Sequence, residues 1–187
     1  MEAMREHEVE VHWAAEAGDS TEHLRLGWEN EGWTADGTIT SIDAHASIHY
    51  VIRLDPEWHV RHVLIFRDLD EPDLWLARDR EGTWGEVNGA TRDDLEGCTD
   101  VHVVGTPFTL GLPQRRLDLA VGEHADVLAA QIDPETLQVE PVRQRWRRTA
   151  EREVVVSDLF GVVELVLALD EHGIVVDEPG ARRRVHP

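Results

Sequence analysis

The residues best suited to chemistry lie between Gly97 and Leu117, in the run GCTDVHVVGTPFTLGLPQRRL. Cys98, Asp100 and His102 alternate with Thr99, Val101 and Val103, so on a strand each set shares one face. Arg115 and Arg116 open a run, 115–120, that reads as a further strand. If that strand is covered on both faces, one of two adjacent arginines points inward. A buried guanidinium needs acceptors. It takes them from a carboxylate such as Asp100 or from the polar head of a ligand. The alternative is a solvated pair on a surface strand, since arginine is mostly exposed.

A second amphipathic feature lies at 137–148. Val142, Gln144 and Trp146 share the even-numbered face, while Arg143, Arg145 and Arg147 alternate outward. An inner wall of this kind suits a ligand with a polar head and an apolar tail. Seven tryptophans stand beside one tyrosine, Tyr50, and three phenylalanines. They can line a site for an acyl chain or a sugar face, or they can pack the core and pair across strands. Eleven histidines raise the question of a metal. His45 and His49 are four apart, with His59 and His62 nearby, but residues four apart on a strand are about 13 Å apart. There is no H-E-x-x-H, and a zinc site built on Cys98, Asp100 and His102 needs ligands from other strands. The expectation is no metal and no cofactor. A nucleophile elbow, a P-loop and a dinucleotide fingerprint are all absent.

The elements that must position these groups are strands. Glu8 to Trp13 alternates polar with apolar, and His23 to Trp28 does the same. In 46–54, Ala46, Ile48, Tyr50, Ile52 and Leu54 share one face. Further runs sit at 59–67, 73–78, 99–104, 125–132, 153–157, 161–169 and 174–177. Residues 90–97 allow one short turn of helix. Turn signals separate the runs, among them Asn30-Glu31-Gly32, Asp36-Gly37, Asp55-Pro56, Asn88-Gly89 and Asp133-Pro134. Short strands joined by short turns imply antiparallel meanders. About a dozen strands in a single domain over 1–187, with little helix, make a large curved sheet, a roll or a barrel. Such folds fill their interior with side chains or enclose a ligand.

Composition narrows the partners. The net charge is -20, from 38 acidic and 18 basic residues, and every basic residue is arginine. An acidic, lysine-free chain points to a cytoplasm of high salt, where the Debye length at about 1 M is about 3 Å and self-repulsion is screened. Residues 1–100 carry most of the acid, so an anion-recognising site belongs to the second half. A nucleic-acid partner is excluded by the absence of a basic footprint. Cys98 is the sole cysteine, which rules out an intrachain disulfide. No apolar run is long enough to span a membrane, and the first residues lack the apolar stretch of a signal peptide. A cytoplasmic location is expected; the oligomeric state stays open.

The run Gly97-Cys98-Thr99-Asp100-Val101, then Thr106-Pro107-Phe108-Thr109, then Leu112-Pro113-Gln114-Arg115-Arg116-Leu117 resembles the signature of the bacterial and archaeal putative glycolipid-binding family. Trp13, Glu22-His23-Leu24, Gly32 to Gly37, Tyr50 to Arg53, Trp58 to Arg61, Gly82-Thr83-Trp84, Pro141 to Trp146 and Val176 to Gly180 match in order, so the resemblance covers about residues 13–185. It departs at Leu110-Gly111, Trp146, Glu178 and Ala181. The resemblance implies a spiral β-roll, an opened barrel of antiparallel meanders.

The expected function is a cytoplasmic binding protein for an amphipathic small molecule, a glycolipid or lipid-like ligand, held in an apolar trough with an arginine-lined polar end. Arg115, Arg116, Asp100, Gln144, Trp146 and Tyr50 are the candidate ligand contacts. The alternative is a hydrolase or isomerase that moves a proton with an interior carboxylate. Glu22, Asp100 and Asp177, each in a matched segment, are its candidates, and each can instead be an inward partner for arginine. A third reading is an interaction module with a filled interior.

Overall fold

Alternation of apolar and polar side chains becomes the two faces of a sheet. In the computed structural model, which describes residues 8–41, 47–67, 71–158 and 164–185, the first seven strands form a continuous meander. They are β1 (Val9–Ala15), β2 (Ser20–Glu29), β3 (Gly32–Ser41), β4 (Ser47–Leu54), β5 (Val60–Phe66), β6 (Leu74–Arg78) and β7 (Trp84–Glu86). A 3-10 turn at Asp93–Leu95 falls within the expected 90–97 segment. There follow β8 (Asp100–Val103), two short helices α1 (Pro107–Leu110) and α2 (Leu112–Leu117), then β9 (His124–Ile132), β10 (Val139–Ala150), β11 (Glu153–Asp158) and β12 (Glu164–Ala168). The chain returns through β13 (Asp177–Glu178) and β14 (Arg182–Val185) to pair with β1.

The nine-stranded sheet has the order β13-β14-β1-β2-β3-β4-β5-β6-β7, and the five-stranded sheet β12-β11-β10-β9-β8. Both curl, and together they make a half-barrel, so the all-β opened barrel expected from the sequence is the observed fold. Its largest core cluster draws on both sheets. Trp13, Leu24, Tyr50, Ile52 and Ile65 of the first meet Val101, Val103, Ala130 and Ile132 of the second. Two indole N–H groups close backbone accounts there: Trp13 Nε1 donates to Val176 O at 3.0 Å, and Trp84 Nε1 to Cys98 O at 2.9 Å. Trp33 stacks on Trp58 at 4.8 Å and takes Trp28 edge-on at 5.1 Å. Trp13, Trp33, Trp58, Trp84 and Trp146 are all buried, whereas Trp75 is exposed.

Three expectations need correction. First, 115–120 is not a strand: Arg115 and Arg116 lie in the last turn of α2. Thr106 caps α1 by accepting from the Phe108 amide at 3.2 Å, with Pro107 at its first position and Pro113 in the first turn of α2. Proline is preset for that position because its missing N–H is not needed there. Second, the meanders are not wholly antiparallel. β8 and β9 pair in parallel, which requires a crossover, and residues 104–123 with α1 and α2 supply it. Third, Asp36-Gly37 is no turn but the middle of β3. A Cβ on Gly37 would lie 2.0 Å from Tyr50 Cζ, so the glycine exists to let the tyrosine ring lie across the strand. The expected run 161–169 appears as β12 from Glu164. Its beginning, with Val162, lies outside the described residues, as do His45 and Ala46.

Candidate functional site

The curl of the two sheets leaves a cleft of about 670 Å³ at one end of the half-barrel. The start of β2 contributes Ser20, the end of β3 Ile39, and the start of β4 Ile48. Arg67 follows β5, Val104 and Gly105 lead from β8 into α1, and Asp133, Pro134 and Glu135 form the β9–β10 turn. Arg182 of β14 completes the lining. Ile39, Ile48, Val104 and Pro134 make the wall partly aliphatic, while Asp19, Ser20, Glu135 and Arg182 add acceptors and donors. Arg67 ties the two sheets together here. Its Nη1 donates to Glu135 O at 2.9 Å, and its Nη2 to Asp73 Oδ1 at 3.1 Å.

Arg182 connects the cleft to a buried polar cluster. Glu22 is on the inward face of β2, in line with Leu24 and Leu26, and is only 1% exposed. Its Oε1 accepts from Tyr50 Oη at 2.7 Å and from Thr106 Oγ1 at 2.5 Å, and the two hydroxyl oxygens are 3.2 Å apart. Its Oε2 has no hydrogen bond, with Arg182 Nε 4.0 Å away. Arg182, 6% exposed, donates through Nη2 to Ser20 Oγ at 3.2 Å and leaves Nη1 without a partner. Glu178 stands across the β13–β14 ladder from Arg182.

Burial decides the charges here. It pushes the Glu22 carboxyl up to about 7, against the opposing pull of the Thr106 and Tyr50 hydrogen bonds and the Arg182 charge. The negative charge of Glu178 adds to the rise. Glu178 is itself raised by burial, with Arg182 opposing. Burial and the neighbouring Glu22 hold the Tyr50 phenol well above its ordinary value. The cluster therefore combines a carboxyl that titrates near neutrality, two hydroxyl groups and a guanidinium with one uncommitted nitrogen. It can hold a proton or recognise an oxygen-rich group.

Of the residues singled out from the sequence, Glu22 and Tyr50 meet in this cluster. The others lie elsewhere. Asp100 is fully buried and paired with Arg116, whose Nη2 donates to Oδ2 at 2.6 Å and Nε to Oδ1 at 3.1 Å. Thr99 Oγ1 donates to the same carboxylate at 2.7 Å. Arg115 lies over the Trp58 ring, 3.9 Å from its centroid, and donates to His172 O. Burial lowers its guanidinium to about 10. Gln144 accepts from Trp146 Nε1 at 3.3 Å inside a second core cluster. Asp177 accepts from the Arg184 amide at 2.9 Å. None of these six lines the cleft.

Two of the histidines weighed as ligands face carboxylates. His49 lies 3.0 Å from Asp36, and His59 3.2 Å from Asp55. Burial lowers His102 to about 4 and raises Cys98 to about 11, and Asp100 between them is already taken by Arg116.

Reading along the chain missed Arg182, Thr106 and Arg67. The signal for Arg182 was present. Arg182-Arg183-Arg184 is a run of arginines on a strand, and alternation must turn some of them inward. Here Arg182 is buried and Arg183 exposed.

The architecture is shared with a solved protein. The crystal structure of a DUF1089 family protein from Pseudomonas aeruginosa superposes with a TM-score of 0.76 at 28% sequence identity, over 89% of this chain and 92% of that one. No curated protein matches the sequence. Among the described residues, no helix is long and apolar enough to cross a membrane. The family described as putative glycolipid-binding matches residues 10–184, nearly the whole length, and the chain belongs to that family.

Proposed function

We propose that the protein binds an amphipathic small molecule with a hydroxyl-rich head, such as a glycolipid, in the cleft between the two sheets. The observation that carries this reading is Arg182, a buried guanidinium that lines the cleft and has an uncommitted Nη1. A buried donor left unsatisfied costs about 1–3 kcal/mol, and a ligand oxygen removes that cost. The acceptors Asp19, Ser20 and Glu135 share the lining with Arg182, so the polar part accepts as well as donates, as sugar hydroxyls require. Ile39, Ile48, Val104 and Pro134 suit the tail. The family name supports the ligand class. On this reading the polar end is formed by Arg182 and Ser20, whereas Arg116 is committed to Asp100.

The test is native mass spectrometry of protein isolated from its own host, with organic extraction of what co-purifies. Arg182→Ala and the wall variant Ile48→Glu are expected to lose the ligand, while Arg145→Ala, on the outer face of β10, keeps it. Retention of a stoichiometric amphipath by both cleft variants overturns the assignment.

The Glu22 carboxyl, raised to about 7, favours a second reading in which the protein is a hydrolase or isomerase of such a molecule and Glu22 moves the proton. This reading expects turnover that disappears in Glu22→Gln. Binding without turnover in the unmodified protein counts against it.

A further inference from the structure

On the outer face of the nine-stranded sheet, β1 and β2 place His12 directly opposite His23. Their imidazole rings stack, with centroids 4.3 Å apart and planes 13° from parallel. Glu10 is two residues before His12, so it emerges on the same face, and its Oε2 is 3.9 Å from His23 Nε2. That nitrogen is enclosed and has no hydrogen-bond partner. One ligand atom from each of Glu10, His12 and His23 lies within 4.8 Å of the others. The cation that would otherwise neutralise Glu10 is occupied elsewhere. Arg25, its cross-strand neighbour, makes a two-pronged pair with Glu8 at 2.5 and 2.9 Å.

We propose that His12, His23 and Glu10 form a binding site for a divalent transition metal, with Zn²⁺ the best fit. Two imidazole nitrogens and one carboxylate oxygen are ligands zinc accepts, with water in the fourth position. Tetrahedral zinc with bonds of about 2.0–2.1 Å needs its ligand atoms about 3.3 Å apart, so the two imidazoles must turn out of their parallel stack until their nitrogen lone pairs converge, a movement open to partly exposed side chains. Two strands hold the imidazoles in register before the metal arrives. A similar grouping at Asp55, Glu57 and His59 lacks this freedom, because Asp55 already accepts from Arg61 and from the Glu57 and His59 amides. Side chains alternate along β2, so His23 projects from the face opposite Glu22 and the metal site is independent of the cleft.

Isothermal titration of metal-free full-length protein with Zn²⁺ alone, in excess Mg²⁺ to occupy the acidic surface, tests the assignment. About one equivalent binds tightly. His12→Ala and His23→Ala each weaken that binding by more than about a hundredfold, exceeding the roughly 10–100-fold loss expected from altering an outer-shell partner. Glu10→Gln weakens it less, and His124→Ala leaves it unchanged. Cu²⁺ binds more tightly than Zn²⁺ and shows imidazole nitrogen couplings by electron paramagnetic resonance. Absence of tight binding, or tight binding that survives both histidine substitutions, overturns the proposal. A folded circular-dichroism spectrum for each variant ensures that a loss is read as loss of ligands.

Discussion

Arg182 Nε stands 4.0 Å from Glu22 Oε2 inside the protein, yet no hydrogen bond joins the two. The carboxylate takes its bonds on the other oxygen, from Tyr50 and Thr106. Arg182 is left with a free nitrogen at the cleft, and Glu22 with a carboxyl that keeps its proton to about 7.

The first prediction concerns pH. Unfolded Glu22 loses its proton near 4.5, whereas the native residue holds it to about 7. The stability this proton confers is fully present below about pH 4.5 and is lost as the pH rises through 7. The span corresponds to about 3 kcal/mol. Glu22→Gln keeps an acceptor for Tyr50 and Thr106 but cannot ionise. Chemical denaturation at pH 5 and pH 8 is expected to show a smaller pH dependence in the variant, which gains relative to the parent at pH 8. An equal loss at both values would mean that Glu22 is a charged partner of Arg182.

Much of the frame that holds this pair was legible in the residues. The period-two patterns of Glu8–Trp13, His23–Trp28 and 46–54 became β1, β2 and β4, because a half-covered strand must alternate. The helices α1 and α2 were missed because 115–120 was read as a strand. Thr106-Pro107 and Pro113 are the cap and first turns of short helices, but the same residues also suit turns, and local sequence does not choose between them. Gly37 was read as a turn because its reason for being small, Tyr50, lies on another strand. The cleft was hidden for the same reason. Its lining comes from several connections far apart in the chain, and only the closure of β14 onto β1 brings Arg182 to it. Likewise the His12–His23 pair is eleven residues apart and exists only through the β1–β2 register.

Gly37→Ala tests how tightly the cluster is built. The added methyl would collide with the Tyr50 ring, and the ring is buried against β3. Overpacking of this kind costs about 1–3 kcal/mol. Displacing the ring also withdraws the phenol from Glu22, which raises the carboxyl further. The expected result is lower thermal stability together with a Glu22 titration moved upward, readable by NMR. Unchanged stability would mean that Tyr50 has room to move.

Asp100 and Arg116 provide a contrasting pair. Asp100 is fully buried and Arg116 partly buried, and two hydrogen bonds join them. Asp100→Asn leaves a guanidinium without its counter-charge and is expected to cost about 3–5 kcal/mol in denaturant unfolding. The double variant Asp100→Leu, Arg116→Met should recover most of that loss, because removing both charges also removes their desolvation cost. Failure of the double variant to recover would show that the charges do more than match each other.

The last prediction concerns salt. With a net charge of -20, the folded chain confines mutually repelling carboxylates that the unfolded chain spreads apart. Some are answered locally, as Asp126 is by Arg145 at 2.7 Å and Glu8 by Arg25 at 2.5 Å, but 18 arginines cannot answer 38 acids. Exposed pairs of this sort contribute only about 0–1 kcal/mol each. The remaining repulsion is reduced by counterions, over a Debye length that shrinks from about 30 Å at 0.01 M to about 3 Å at 1 M. Circular dichroism during dialysis from molar salt into dilute buffer should show loss of β structure, restored when salt is returned. A spectrum and melting temperature that do not change with salt would mean that burial of the two-sheet core outweighs the repulsion unaided, and that the acidity is not an adaptation to a salt-rich interior.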